Sequence, residues 1–146
     1  MSLKLVGRLA REPGLGGWTG LGVVVQTYQK RSLAVIDALA ALAGETGRRI
    51  MVRLVKGAYW DREFKAAQVS GMPDYPVFTT KPASDLSYLV CARALIAASP
   101  RLYPQFATHN AHSLAAVRHM AAEAGAPIEQ RHHRRAGGRA RRPNCR

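Results

Sequence analysis

Polar and charged side chains cluster at the ends of three predicted strands. Gln26 and Tyr28 end one apolar run, Arg53 and Lys56 lie at the end of the next, and the segment Thr108-His109-Asn110 follows a third. Ligands of parallel α/β proteins bind at the carboxyl edge of the sheet. These side chains therefore predict a ligand site at that edge.

Arg53 is the sharpest of these signals. It interrupts the apolar run Ile50–Val55, where a charge needs either a partner or contact with water. The pattern leaves two interpretations open, a functional cation at the ligand site or a structural ion pair.

Other kinds of site have weaker support. His109 and His112 have the spacing of two metal ligands, but Asn110 is predicted to begin a helix, which leaves His109 in the preceding loop, and no carboxylate or cysteine completes a set. We expect no metal site.

The glycines of residues 14–22 are out of register with a dinucleotide-binding loop and precede a strand, so they predict a structural turn. Cys91 is predicted to lie in the core.

The elements that must position these residues alternate between strands and helices. Strands are predicted at residues 21–28, 50–55 and 105–108, and helices at 3–12, 33–44, 61–69, 84–99 and 112–124. This alternation indicates an α/β fold with a parallel sheet. The β-branched run at 21–28 is typical of a strand buried on both faces. Both a doubly wound sheet and part of a (β/α)₈ barrel remain open, but a full barrel needs about 250 residues.

Several residues are predicted to mark element boundaries. Gly44 is expected to end the second helix, and Asp61 to cap the third. Ser84 or Asp85 is expected to begin the fourth helix, and Ile128 could begin another strand.

Composition sets the broad class. A length of 146 residues and a hydrophobic fraction of 47% fit one globular domain or a piece of a larger one. No apolar run is long enough to cross a bilayer, and the N-terminus lacks the apolar region of a signal peptide. Two cysteines provide no disulfide framework, so a cytoplasmic setting is the default expectation.

The net charge of +13 is unevenly distributed. Residues 1–130 hold 15 of the 22 lysines and arginines and all nine acids, whereas residues 131–146 hold seven arginines and no acid. We therefore expect a domain at residues 1–129 and a basic, disordered or frameshifted tail at residues 130–146. The tail raises nucleic-acid binding as an alternative function. The lack of aromatic residues between its arginines and of a recognised binding module argues against that alternative.

Four segments carry a family resemblance. They are Val24–Arg31 (VVQTYQKR), Arg53–Asp61 (RLVKGAYWD), Tyr75–Lys81 (YPVFTTK) and Tyr103–His112 (YPQFATHNAH). Their order and spacing, across roughly residues 17–127, resemble the proline dehydrogenase domain of the bifunctional proline utilization A flavoenzymes.

The resemblance implies a (β/α)₈ barrel that binds FAD and oxidises L-proline to Δ1-pyrroline-5-carboxylate by hydride transfer to flavin N5. The three strands would be consecutive middle strands, so the chain is expected to be a fragment of the barrel. Arg53 and Tyr59 match catalytic positions, with Tyr59 at the substrate pocket. The implied FAD-binding residues are Gln26, Arg53, Lys56, Gly57, Ala58, Trp60, Thr79, Lys81, Thr108, His109 and Asn110.

The resemblance also implies L-proline as the substrate and a quinone or another electron acceptor as a partner. It implies a cytoplasmic enzyme, peripheral at the inner membrane when intact, and leaves the oligomeric state open.

The chain departs from the family pattern at both ends. The early barrel strands are missing, and a Leu-His-Gly-Met-Gly segment and an arginine pair for the proline carboxylate are missing after about Glu129. We therefore expect impaired or absent activity and FAD binding that is weak or absent. A non-functional fragment is the alternative.

Overall fold

The computed structural model describes residues 3–16 and 18–126. Its helices and strands follow the alternation that the sequence predicts. In chain order they are α1 (Leu3–Ala10), a short 3₁₀ turn (Pro13–Leu15), β1 (Gly22–Gln26), α2 (Ser32–Thr46), β2 (Ile50–Val55), α3 (Trp60–Val69), α4 (Lys81–Ala97), β3 (Leu102–Ala107) and α5 (Ala111–Glu123).

The three strands form one parallel sheet in the order β1-β2-β3. The predicted parallel α/β class is therefore confirmed. Val24 lies opposite Arg53, which lies opposite Gln105. Two residues further along each strand, Gln26, Val55 and Ala107 are aligned, so the carboxyl ends of all three strands meet at one edge.

Among the described residues, helices cover one face of the sheet. On this helix-covered face, Val52 and Leu54 are fully buried, and they join a core built from the sheet and the helices. On the opposite, open face Val24 is 51% exposed and Arg53 is half-buried. The prediction that residues 21–28 are buried on both faces is therefore wrong. The β-branched run reflects strand propensity, because only alternate side chains of β1 reach the core.

Helices α1, α2, α4 and α5 form the layer over the helix-covered face. Helix α2 contacts α1 and α4, and α4 contacts α5. From these helices Leu39, Tyr88, Leu95 and Val117 are buried in the same core as the strands. Cys91 is buried there too, which confirms its predicted place. The layer fixes the strands from one side and leaves the open face to solvent.

Two predicted helix boundaries are wrong. Helix α2 passes Gly44 and ends at Thr46, because Gly47 takes the left-handed conformation (φ 65°) that closes a helix. Helix α3 begins at Trp60, so Asp61 lies inside the first turn and does not cap the helix. A carboxylate in the first turn still favours the helix through its dipole.

Helix α4 and strand β3 also begin earlier than predicted. Helix α4 starts at Lys81, ahead of Ser84 and Asp85, because Pro82 suits the first turn of a helix. Strand β3 starts at Leu102, three residues before the predicted start. The side chain of Asn110 accepts a hydrogen bond from the backbone N–H of Ser113 at 2.9 Å, so its predicted place at the start of α5 is confirmed.

The predicted strand from Ile128 and the basic tail at residues 130–146 lie outside the described residues. Within the described ranges, the helices are too short or too polar to span a bilayer.

Candidate functional site

A cavity of about 550 Å³ opens at the carboxyl edge of the sheet. It is lined by Val24, Gln26, Val55, Lys56, Gly57, Ala58, Tyr59, Ala107, Thr108, His109 and Asn110. The structure thus gathers the ends of β1, β2 and β3 around one space, at the edge where the sequence predicts a ligand site. Its volume is typical of small-molecule and cofactor sites.

The cavity combines an apolar surface with a polar rim. Val24, Val55 and Ala107 come from the open face of the strands, while Gln26 and Lys56 supply an amide and a cation at the rim. Flat apolar contact suits a planar ring, and a cation with neutral donors suits a polar or anionic group attached to it. The donor set therefore fits a ligand with both parts.

Gly57 brings bare backbone to the cavity. Its φ of 119° is in the region that favours glycine, and an added Cβ would lie 1.7 Å from the ring of Tyr28. The Tyr28 backbone N–H donates to the Lys56 carbonyl at 3.0 Å, which ties the two loops together. Burial, with a smaller contribution from the charge of Glu63, raises the pKa of Tyr28 above its usual value. The Tyr28 ring therefore packs directly against the backbone of Gly57.

Lys56 reaches from the end of β2 to helix α4. Its Nζ donates to Asp85 Oδ1 at 2.5 Å and lies 5.7 Å from the centroid of the Tyr88 ring. The other oxygen of Asp85 accepts a hydrogen bond from Lys81. The hydrogen bond from Lys56, then that from Lys81, lowers the pKa of Asp85 below its usual value. Lys56 and Lys81, both predicted from the sequence, thus share one carboxylate.

The loop between β3 and α5 is braced by its own side chains. The Asn110 backbone N–H donates to Thr108 Oγ1 at 3.1 Å, and the Asn110 side chain caps α5. His109 is exposed between these two residues and lines the cavity. His109 is thus an exposed polar side chain at the cavity, carried by a loop that its neighbours brace.

Arg53 and Tyr59 take different positions relative to the cavity. Arg53 lies two residues before the end of β2, between Val24 and Gln105 on the open face, and it is outside the cavity lining. Tyr59 is at the rim and 66% exposed.

Three other predicted site residues lie outside the lining. Trp60 Nε1 donates to the Phe78 carbonyl at 2.7 Å, and its ring stacks on Phe64 with centroids 5.1 Å apart. Thr79 is exposed in the connection between α3 and α4, and Lys81 begins α4. Of these three residues, Lys81 contacts the Lys56–Asp85 pair through its hydrogen bond to Asp85.

One residue of the site, Asp85, and one contact, that of Tyr28 with Gly57, carried little signal in the sequence. Asp85 is an acid near the start of a helix, which is an ordinary surface pattern. The contact of Tyr28 with Gly57 joins residues that are distant in the chain. In residues 3–16 and 18–126, no group of three or more His, Cys, Asp and Glu side chains could hold a metal ion.

Comparisons with known proteins point in one direction. A sequence model of the family described as proline dehydrogenase matches residues 1–136. The chain is 55% identical over 123 residues to the bifunctional protein PutA of Salmonella typhimurium and 54% identical over 123 residues to that of Escherichia coli. In each case the match covers 84% of this chain and 9% of the relative. The chain therefore spans about a tenth of the length of these curated relatives.

Solved structures of proline utilization A proteins are similar to this chain as well. A mutant of proline utilization A from Bradyrhizobium japonicum is similar with a TM-score of 0.80 and 52% identity, covering 82% of this chain and 12% of that one. Proline utilization A from Bdellovibrio bacteriovorus, inactivated by N-propargylglycine, is similar with a TM-score of 0.81 and 37% identity, covering 86% of this chain and 13% of that one.

Proposed function

Because the chain belongs to the proline dehydrogenase family, we propose that its described residues form part of the FAD-facing side of an enzyme that oxidises L-proline to Δ1-pyrroline-5-carboxylate. The observation that carries this proposal is the cavity at the carboxyl edge of the sheet. It gathers Gln26, Lys56, the backbone at 57–58 and the loop 108–110 in one place. These are the positions at which the family resemblance implies FAD contacts.

The winding of the chain supports a barrel fragment. The strand order β1-β2-β3 follows the chain order, and the helices form one layer on one face. A doubly wound sheet instead reverses its strand order and carries helices on both faces. We therefore assign residues 1–129 to consecutive middle units of a (β/α)₈ barrel, whose interior would lie on the open face.

The site residues suit FAD by their chemistry. Gln26, Arg53 and Lys56 would lie around the flavin ring, and the backbone at 57–58 with Trp60 would pack against the cofactor. The rest of FAD would contact Thr79, Lys81, Thr108, His109 and Asn110. When bound, FAD would supply the electron acceptor for oxidation of the proline C–N bond, and a quinone or another acceptor would then take the electrons.

Arg53 and Tyr59 have separate roles in this proposal. A guanidinium held on a strand is a fixed positive charge, which stabilises the negative charge that accumulates when a neighbouring ring is reduced. Tyr59, exposed at the rim, would border the space for proline.

The proposal is tested by titrating FAD fluorescence with the chain. We expect saturable but weak quenching that is lost on gel filtration, because the open face leaves one side of the cavity exposed. Proline-dependent dye reduction should be weak, since loosely held FAD is poorly oriented for the reaction.

A matched pair of variants provides the control. Lys56→Met should weaken FAD binding about tenfold, roughly 1.4 kcal/mol. Lys65→Met, which removes an exposed lysine of α3 outside the cavity lining, should leave it unchanged. An absence of saturable quenching, or equal effects of both variants, would contradict the proposal.

A further inference from the structure

The Lys56 side chain is held from two directions by helix α4. Its Nζ hydrogen bonds to Asp85 Oδ1 and lies over the Tyr88 ring. Asp85 and Tyr88 are three residues apart, so they share one face of the helix. An ammonium that meets a carboxylate and an aromatic face has fewer accessible orientations than one that meets either group alone.

This ion pair is the most shielded of those between the described residues. The side chains of Lys56 and Asp85 are 28% and 34% exposed, whereas those of Lys30 and Asp74 are 39% and 73% exposed. Surface ion pairs contribute little because water screens them and because both side chains must be ordered. The Lys56–Asp85 pair is more shielded and has one partner on a helix, so it should restrain Lys56 more strongly than the Lys30–Asp74 pair restrains Lys30.

Asp85 also binds a second ammonium. Its two oxygens accept hydrogen bonds from Lys56 and Lys81. Two ammonium groups on one carboxylate lie within about 7 Å of each other. The three groups together carry one net positive charge. Asp85 therefore reduces the repulsion between two cations without cancelling their combined charge.

We propose that Asp85 is a positioning residue that fixes the ammonium group of Lys56 beside the cavity for an anionic or polar group of the ligand. The identity of that ligand as FAD rests on the proposed function. Asp85 lies outside the cavity lining, so it acts through Lys56.

The first experiment needs no ligand. The ligand-free chain is treated briefly with sulfo-N-hydroxysuccinimide acetate, and acetylation of each lysine is measured by peptide mass spectrometry. Asp85→Asn should increase the labelling rate of Lys56 about three- to tenfold, because loss of a charge-assisted hydrogen bond leaves the amine free to meet the reagent. Asp85→Glu, which keeps the carboxylate, should restore part of the protection.

Asp74→Asn is the matched control. It removes the carboxylate of the Lys30–Asp74 pair, so it should increase labelling of Lys30 and leave Lys56 unchanged. Circular dichroism confirms that each variant is folded. Unchanged labelling of Lys56 in Asp85→Asn, or equal increases at Lys30, Lys56 and Lys65, would overturn the proposal.

The second experiment tests whether Asp85 affects FAD binding through the position of the Lys56 ammonium. FAD affinity is measured for Asp85→Asn, Lys56→Met and the double variant. If Asp85 acts through Lys56, the double variant binds FAD no more weakly than Lys56→Met alone. Additive losses would overturn the proposal. A wild-type chain that fails to bind FAD contradicts the proposed function, and the labelling experiment still decides whether Asp85 positions Lys56.

Discussion

The two faces of the three-stranded sheet use the same strands for different purposes. On the helix-covered face, Val52 and Leu54 are completely buried. On the open face of the same strand, Met51, Arg53 and Val55 are half-buried. The alternation of side chains along a strand places them on opposite faces.

This difference separates stability from ligand binding at the level of single residues. Side chains on the helix-covered face have exchanged water for apolar neighbours, so the folded state depends on them. Side chains on the open face keep contact with water and provide the polar groups of the candidate site. Neighbouring substitutions along β2 should therefore have different consequences.

We expect the largest loss of stability from a substitution on the helix-covered face. Leu54→Ala should lower the free energy of unfolding by about 2–5 kcal/mol, because it removes buried methyl groups and leaves a cavity. Val24→Ala, at a position that is half exposed on the open face, should cost less than about 1 kcal/mol. Urea unfolding followed by circular dichroism measures both. Equal losses would remove the distinction between the faces.

Gly57→Ala tests the backbone at the cavity. The new Cβ would meet the Tyr28 ring in a left-handed conformation, so we expect a loss of about 2–4 kcal/mol of unfolding free energy. Gly71 also has a positive φ, of 60°, but an added Cβ there meets nothing within 4 Å. Gly71→Ala should therefore cost only about 1 kcal/mol. Similar losses for the two variants would show that Tyr28 does not restrict residue 57.

Arg53→Met tests whether the open face serves the ligand. Loss of the guanidinium should weaken FAD binding about tenfold, roughly 1.4 kcal/mol, with a smaller change in unfolding free energy. Arg53→Lys should weaken binding less, because it keeps the charge while losing the planar donor group. A large loss of stability with unchanged FAD affinity would instead identify Arg53 as a structural residue.

How much of this arrangement the sequence predicts depends on the range of the interactions. The strand Ile50–Val55 and the start of α5 at Asn110 are confirmed, because an apolar strand run and a capping side chain act between neighbours in the chain. The pairing of Lys56 with Asp85 joins residues 29 apart, and it exists only after α4 packs on the sheet.

The same reasoning explains the error about β1. Its apolar run has the composition of a strand buried on both faces. Burial, however, depends on which elements pack on each face, and composition does not record that. In the described ranges, helices cover one face of β1 and leave Val24 in contact with solvent.

We expect the smallest change in unfolding free energy from a substitution at Tyr88. Its hydroxyl group has no hydrogen-bond partner among the described residues, so Tyr88→Phe should change the unfolding free energy at neutral pH by less than about 1 kcal/mol. Burial raises the pKa of Tyr88 from 10.0 to about 12.

The sign of the pH dependence follows from this shift. Below about pH 10 the phenol is neutral in both states, and between about pH 10 and 12 it ionises first in the unfolded chain, so stability falls as the pH rises. Tyr88→Phe should reduce that fall, as measured by urea unfolding at pH 7 and near pH 11. An identical pH dependence in the variant and the wild-type chain would contradict a raised pKa at Tyr88.

Binding of FAD at the carboxyl edge of the sheet is tested most directly by recording ¹H–¹⁵N correlation spectra of the chain during a titration with FAD. We expect saturable shifts of the backbone signals of Gln26, residues 53–59 and residues 108–110. Signals of Ile50 and Leu102, at the opposite ends of β2 and β3, should not move. Shifts spread evenly over the chain, or confined to residues outside the carboxyl edge of the sheet, would contradict it.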